Sequence, residues 1–226
     1  MKTCLLPLLI LTSGIQIFGQ TDTTKLMTEA KNKLSSHASA VSGLLTDPAY
    51  DVLHPKTAFR ELIKKYAEAN TITISSDKEP GKKIIVIAMI KNKAGEPIAD
   101  ALVYLYQTDA RGWYAANAPH VLAYEGDHRH ARLFGYTKTN GNGQLELHTV
   151  KPSGYPQSDL PAHIHVLVTA EGYQTYSTEF LFDDDERLVG NIREQSIRNR
   201  FFISKPEKTT APFLQKFSYS IILEKK

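Results

Sequence analysis

The stretch Leu160–Val168, LPAHIHVLV, has the composition of a buried β-strand but carries two histidines. Successive side chains of an extended strand point to opposite faces, so His163 and His165 share one face with Leu167. The other face is fully aliphatic and can pack into a core: Ile164, Val166 and Val168. The two histidines therefore point away from that core and require a separate explanation.

The chain around this stretch also has a strand-like composition. After Asn70, segments rich in β-branched and aromatic residues alternate with turn signals such as NKAGEP, TNGNGQ and KPSGYP. Short strands at this spacing, without intervening helices, favour two packed antiparallel sheets. We predict a mainly β fold, an antiparallel β-sandwich core over residues 76–226 with α-helices before it. Within that region the polar segment 183–202 is predicted to be a loop.

The N-terminal part of the chain has helical periodicity instead. Apolar residues recur at helical spacing over Thr24–Leu45, and a second amphipathic helix is predicted over Thr57–Asn70. We assign residues 21–75 to an N-terminal helical segment. No polar cluster on these helices suggests chemistry, so we expect them to pack on the β-domain or to pair with a second subunit in a homodimer.

Residues 1–20 have the features of a signal peptide. Lys2 precedes an apolar run that ends in small and polar residues, which predicts cleavage near Gly19 or Gln20 and export to the periplasm or the medium. The run is too short and too interrupted to span a membrane. The formal net charge of +3 over 226 residues is too small to indicate a nucleic-acid partner. Cys4 is the one cysteine, so cleavage would leave no thiolate to bind a metal.

Two histidines two residues apart on a strand can bind one metal ion from the same side. The ordinary alternative is a pair of surface or hydrogen-bonded histidines. Two tyrosines are candidate metal ligands beside the two histidines. Tyr155 lies in the loop KPSGYPQ shortly before His163, and Tyr114 lies in DARGWYAAN after a predicted strand. A phenolate is a hard anionic oxygen donor and suits Fe(III). With eleven tyrosines in the chain, ordinary packing is the alternative for each.

These residues occur in an order that resembles the intradiol ring-cleavage dioxygenases, which split catechols between their two hydroxyls with non-haem Fe(III). The resemblance covers about Gly95–Phe182 and includes GEPIADALVYLYQTDARGWY, TNGNGQLELHTV, KPSGYP and PAHIH. It implies that four residues bind the ferric ion: Tyr114, Tyr155, His163 and His165. It also implies a small aromatic diol and O2 as substrates.

The sequence departs from the family pattern at two positions. Leu160 occupies the place, three residues before the first histidine, where the family usually has an arginine, and Glu179 stands where it usually has a glutamine. Losing a cation and gaining an acid should weaken stabilisation of an anionic intermediate. We identify Glu179 as a candidate catalytic residue, and Arg129 or Arg132, in the loop GDHRHARLF, as candidate replacement cations.

The predicted function is therefore an exported non-haem Fe(III) dioxygenase that cleaves a catechol-type diol. A second interpretation is a non-catalytic binding module, because the pattern NKAGEPIADALVYLYQTD also fits transthyretin-like and carboxypeptidase-regulatory-like sandwiches. Such a module has no need for PSGYP and PAHIH together. A third is an iron-binding relative that lost its activity with the arginine.

Overall fold

The computed structural model describes residues 22–37, 40–69, 71–115 and 131–226. The predicted signal peptide and the candidate cation Arg129 lie outside these ranges. Within them the chain forms four α-helices, ten β-strands and one 3-10 helix. None of the helices in the described ranges is long and apolar enough to cross a membrane.

The strands form two five-stranded sheets. Sheet 1 has the order β1 (Thr71–Thr73), β5 (Gln144–Val150), β2 (Lys83–Asn92), β10 (Gln215–Leu223) and β9 (Glu207–Lys208). Sheet 2 has the order β4 (Leu133–Lys138), β3 (Leu102–Gln107), β6 (His163–Thr169), β7 (Tyr176–Phe182) and β8 (Phe202–Ser204). The predicted mainly β sandwich is confirmed.

The strand pairing is mixed, which corrects the prediction of a purely antiparallel sandwich. β1 pairs parallel with β5, β10 with β2, and β7 with β8. Each of these pairs joins strands that are distant in sequence, and a parallel pair needs such a long connection. Turn signals reveal hairpins between neighbouring strands and carry no information on these long-range partners.

The helices contribute directly to the core of the sandwich. They are α1 (Thr23–Ser36), α2 (Val41–Thr46), the 3-10 helix (Pro48–Leu53) and α3 (Thr57–Lys65). Their apolar faces join one cluster with the sheet residues, including Leu34, Leu44, Phe59 and Ile63, each at most 1% exposed. The helical faces predicted to be apolar therefore cover the sandwich of the same chain.

The first predicted helix, over Thr24–Leu45, corresponds to two helices, α1 and α2, and the second predicted helix is shorter than the sequence pattern indicated. Helix α1 ends at Ser36, because His37 is extended with φ −148° and ψ 101°. Ser36 also bonds its hydroxyl back to the Asn32 carbonyl, a local contact that competes with helix continuation. The second ends at Lys65, after which Ala69 forms a bridge with Lys138 and leads the chain into the sheets.

The segment 183–202, predicted to be a loop, instead contains the helix α4 (Gly190–Arg198) and the first residue of β8. Ser196 is the buried residue of α4, and Glu194 and Arg198 form an exposed i,i+4 ion pair. A helix without an apolar stripe produces no hydrophobic periodicity, so its sequence resembles a loop.

Strand β6 connects this fold to the candidate site. Ile164, Val166 and Val168 are at most 2% exposed and pack in the core between the sheets. The alternation of an extended strand then directs His163 and His165 to the opposite face of sheet 2. The predicted division of the two faces agrees with this burial pattern.

Candidate metal centre

The polar ends of four side chains meet at one end of sheet 2. The Tyr114 Oη lies 2.6 Å from the Tyr155 Oη and 2.9 Å from the His165 Nε2. The Tyr155 Oη lies 3.1 Å from the His163 Nε2 and 3.5 Å from the His165 Nε2. The two imidazole Nε2 atoms are 3.1 Å apart. The four residues that the sequence predicted to share a site are therefore together, and we call them the phenol–imidazole cluster.

The topology brings these residues together. Strands β3 and β6 are antiparallel neighbours, with Gln107 opposite Ile164, so the end of β3 lies beside the start of β6. The loop after β3 carries Tyr114, and the loop that enters β6 carries Tyr155. Two loops from adjacent strand ends thus meet the two histidines of β6 from outside the sheet.

Two glycines permit the close approach of these loops. Gly112 has a φ of +82°, and a Cβ on it would overlap the carbonyl oxygen of Gly154. A Cβ on Gly154 would in turn overlap the carbonyl oxygen of Leu160. A larger residue at Gly112 would push apart the two loops that carry the phenols, and one at Gly154 would push the Tyr155 loop away from the segment that enters β6.

Both imidazoles are oriented by their Nδ1 atoms. The His163 Nδ1 is 2.8 Å from the Pro161 carbonyl oxygen, and a carbonyl accepts but does not donate. The Nδ1 therefore carries the proton, and the His163 Nε2 presents a lone pair to the cluster. The His165 Nδ1 lies 3.5 Å from a carboxylate oxygen of Glu179, which favours the same tautomer there.

Burial favours neutral phenols in the absence of a cation. Tyr114 is 5% exposed, and burial raises the pKa of its phenol far above the usual value, with a further increase from the neighbouring Tyr155. Forming two adjacent phenolates in this place requires a strong positive charge at the cluster. A multivalent cation is the kind of ligand that meets this requirement.

The distances within the cluster fit a bound metal ion. Two donors that each lie about 2 Å from one ion, at angles of about 90° to 120°, are separated by about 2.8 to 3.5 Å. Four of the five observed separations, at 2.9 to 3.5 Å, lie in that range, and the 2.6 Å between the two phenol oxygens is slightly shorter. Among the described residues, His163, His165 and Glu179 also form a group whose candidate ligand atoms lie within 4.8 Å of one another.

The other predicted catalytic residues have different surroundings. Glu179 lies directly opposite His165 in the pairing of β7 with β6, next to the cluster. Arg132 directs both terminal nitrogens to Glu79, at 2.6 and 2.9 Å, in a largely buried ion pair. The structure therefore places the Arg132 guanidinium in a salt bridge with Glu79, whereas Arg129 lies outside the described residues.

Sequence reasoning missed a cation beside the cluster. The Arg187 Nη1 donates to the carbonyl oxygens of Tyr155 at 3.1 Å and Leu160 at 3.4 Å. Asp185 accepts from the Ala162 backbone nitrogen at 3.0 Å and from the Arg187 backbone nitrogen at 2.8 Å. Both residues belong to the polar segment taken for a loop, and no local sequence signal connects them to a loop some 30 residues earlier.

Tyr106 is a second neighbour that the sequence did not identify. It lies opposite His165 in the pairing of β3 with β6, and its ring stacks on the imidazole with centroids 4.4 Å apart and an interplanar angle of 13°. Stacking on Tyr106 therefore fixes the plane of the His165 imidazole, whereas the polar contact with Glu179 orients its Nδ1. The alternation of β3 could have indicated this partner only if the register of the sheet had been known.

The mixed β-sandwich, with a phenol–imidazole cluster at one end of a sheet, defines a protein of the intradiol dioxygenase class. Residues 58–225 match the family model described as Dioxygenase, so the chain belongs to that family. The match covers most of the chain and includes all four residues of the cluster, which favours this class over a plain binding module.

Individual relatives support the same class. The chain is 25% identical over 130 residues to catechol 1,2-dioxygenase 1 of Acinetobacter lwoffii and 25% identical over 135 residues to chlorocatechol 1,2-dioxygenase of Rhodococcus opacus. These segments cover 50% and 52% of this chain but only 40% and 50% of the two relatives. The chain thus spans half or less of the length of these relatives.

The fold resembles that of a solved member of the class. The structure of catechol 1,2-dioxygenase from Acinetobacter sp. ADP1 matches with a TM-score of 0.56 and 16% identity, over 91% of this chain and 79% of that one. At this identity the likeness concerns the fold alone. It confirms the predicted architecture for nearly the whole chain.

Proposed function

We propose that the protein is a non-haem Fe(III) intradiol dioxygenase that cleaves a catechol-type aromatic diol with O2. The observation that carries the proposal is the convergence of two phenol oxygens and two imidazole nitrogens, separated by 2.6 to 3.5 Å, in a chain of the dioxygenase family. Hard phenolate donors and the high charge demanded by the buried Tyr114 both favour a ferric ion over a softer divalent one.

The residues of the cluster have distinct roles in this proposal. When bound there, a ferric ion supplies the Lewis acidity that attracts both oxygens of the diol. His163, His165 and the buried Tyr114 would hold the ion. Tyr155 is less buried than Tyr114, so we assign it as the residue whose phenol oxygen would accept a proton from one diol hydroxyl.

The proposed reaction consumes one O2 for each diol. The bond between the two hydroxyl-bearing carbons breaks, and each of these carbons gains one oxygen atom. The product is a muconate-type dicarboxylate, and both atoms of O2 are incorporated. The protein contributes by orienting the diol against the sheet 2 end and by presenting neutral imidazoles with fixed tautomers.

The loss of the usual arginine at Leu160 does not leave the region without positive charge. Arg187 brings a guanidinium to the carbonyl oxygen of Leu160 itself. We propose that Arg187 provides part of the electrostatic support for an anionic diol that an arginine at position 160 would otherwise provide. Of the candidates predicted from the sequence, Arg132 is paired with Glu79, whereas Arg129 lies outside the described residues and stays a prediction.

The proposal is tested by ferric loading of the purified protein. The wild type is expected to bind one iron per chain, to show a visible tyrosinate-to-iron absorption band, and to consume O2 with catechol. His163→Ala should lose the iron and the colour. His148→Ala removes a histidine on β5, in sheet 1, and should keep both.

Each negative result has a definite meaning. A colourless protein that takes up no iron would overturn the proposal in favour of a binding module. A coloured protein that leaves catechol, chlorocatechol and protocatechuate unchanged would overturn the enzymatic part and retain the iron site. In that case the protein would be an iron-binding relative without activity.

Export and dimerisation are proposed from the sequence. We propose that the chain is exported and begins near Thr21 after removal of residues 1–20, which N-terminal sequencing of the secreted product would test. A homodimer through the N-terminal helices is the second proposal, and light scattering of the purified protein measures its mass directly.

A further inference from the structure

His165 occupies the middle of a row of three side chains across sheet 2. Tyr106 of β3, His165 of β6 and Glu179 of β7 are directly opposite one another in the strand register. Side chains that are opposite on neighbouring strands share a face and are close enough to interact. The register therefore fixes Glu179 beside the imidazole, independently of any loop conformation.

Glu179 faces the side of the imidazole that the cluster does not use. The carboxylate oxygen is 3.5 Å from the His165 Nδ1, whereas the two phenol oxygens lie 2.9 and 3.5 Å from the Nε2. One nitrogen thus points to an acid and the other to the phenols. Both side chains are about three-quarters buried, at 22% and 23% exposure, so water screens their interaction only in part.

We propose that Glu179 is a positioning residue that acts on the metal centre through His165. A carboxylate next to the Nδ1 proton holds the imidazole in one tautomer and makes its Nε2 a stronger electron donor. This inference rests on the proposed ferric site and adds to it an assignment for the acid. Glu179 therefore need not contact the diol to affect the reaction.

Charge balance gives the expected direction of the effect. Two phenolates and two neutral imidazoles leave a ferric ion with one net positive charge. The Glu179 carboxylate, one side chain away, brings the sum to zero. The added negative charge stabilises the ferric state over the ferrous state and raises the energy needed to transfer an electron from a tyrosinate to the iron.

The test uses iron-loaded protein and compares Glu179→Gln with the wild type. The glutamine keeps the size of the side chain and removes its charge. We expect the tyrosinate-to-iron band to move to longer wavelength, the reduction potential to become more positive, and the iron affinity to fall about tenfold or more. Glu171→Gln removes an exposed acid in the turn after β6 and should leave all three quantities unchanged.

Two further variants separate the effect of the Glu179 charge from an effect of the substitution on protein stability. Glu179→Asp retains the charge and should keep the band near its wild-type position. Glu179→Ala removes the charge without an amide, and should shift the band and the potential in the same direction as Glu179→Gln. A purely structural role would change stability in these variants without this ordering by charge.

Three outcomes would overturn the inference. A Glu179→Gln protein with the wild-type band and potential would show that the acid does not act on the metal. Complete loss of iron in Glu179→Gln, with iron retained in Tyr155→Phe, would make Glu179 a direct ligand instead. A wild-type protein without iron or colour would overturn both this inference and the proposed function, whereas the first two outcomes leave the iron site standing.

Discussion

At the scale of single residues, the candidate site depends on the absence of one side chain. Gly154 precedes Tyr155, and a Cβ there would overlap the Leu160 carbonyl oxygen and lie 2.5 Å from the Arg187 Nη1. The backbone carbonyl belongs to the segment that enters β6 and cannot move without moving His163. Only a glycine lets the phenol-bearing loop pack this tightly on that segment.

Gly154→Ala is therefore expected to disturb stability and metal binding together. Overpacking typically costs about 1 to 3 kcal/mol, and displacement of the adjacent Tyr155 should weaken iron binding as well. Chemical denaturation and iron titration measure the two effects. Gly141→Ala is the matched control, because a Cβ on Gly141 meets nothing within 4 Å. Equal behaviour of the two variants would contradict the packing argument.

At the scale of elements, one buried arginine attaches α3 to sheet 2. Arg60 is 3% exposed and donates to the His54 carbonyl oxygen, the Tyr104 hydroxyl and the Ala131 carbonyl oxygen at 2.6 to 2.8 Å. Its guanidinium also lies 3.8 Å from the centre of the Phe134 ring. A charged group this deep is tolerated because each of these contacts replaces water.

Arg60→Met should lower the free energy of unfolding by about 3 kcal/mol, since it leaves three buried polar groups without their charged donor. Arg60→Lys keeps the charge but cannot make all three contacts, so an intermediate loss is expected. Urea denaturation followed by circular dichroism measures both. Arg198→Met, at an exposed position of α4, should change stability by less than about 0.5 kcal/mol. A loss no larger in Arg60→Met than in Arg198→Met would contradict this role.

The turn between β7 and α4 has a separate role as a clamp on the ligand-bearing loop. Asp185 and Arg187 together hold the backbone at Tyr155, Leu160 and Ala162.

Arg187→Met should lower iron affinity about tenfold. The free energy of unfolding without iron should fall by no more than about 1.5 kcal/mol, because the lost contacts are hydrogen bonds to a loop. Iron titration and denaturation of the metal-free protein separate the two, and Glu186→Gln, an exposed neighbour, is the control. Wild-type iron affinity in Arg187→Met would refute the clamp.

The elements also show which parts of the structure the sequence could predict. Strand β6 and the shared face of His163 and His165 follow from a period of two, which is a local property. The meeting of Tyr114 with Tyr155 depends on which strands are neighbours, and only the family resemblance indicated it. Helix α4 and the Arg187 contacts left no periodic or turn signal, because an exposed polar helix and a long-range hydrogen bond are not encoded in local spacing.

At the scale of the whole molecule, His54 couples folding to pH. It is 2% exposed where the 3-10 helix, α3 and sheet 2 meet, and its Nδ1 donates to the Arg132 carbonyl oxygen at 2.7 Å. The pKa of His54 is lowered to about 4, mainly by burial and in addition by the nearby charges of Arg60 and Arg132, while the hydrogen bond to the Arg132 carbonyl opposes the shift. The native state therefore keeps this imidazole neutral at pH values where an unfolded chain protonates it.

The sign of the effect follows from proton uptake. An unfolded histidine has a pKa of about 6.5, so between about pH 6.5 and 4 the unfolded state binds more protons and stability falls as the pH falls. With a native pKa of about 4, the loss from His54 between pH 7.5 and 5 is about 2 kcal/mol. His54→Asn keeps a donor for the Arg132 carbonyl without titrating, and should flatten the dependence by this amount. Denaturation at both pH values measures it, with the exposed His37→Asn as the control that retains the wild-type slope. An unchanged slope in His54→Asn would mean that another group causes the acid sensitivity of the fold.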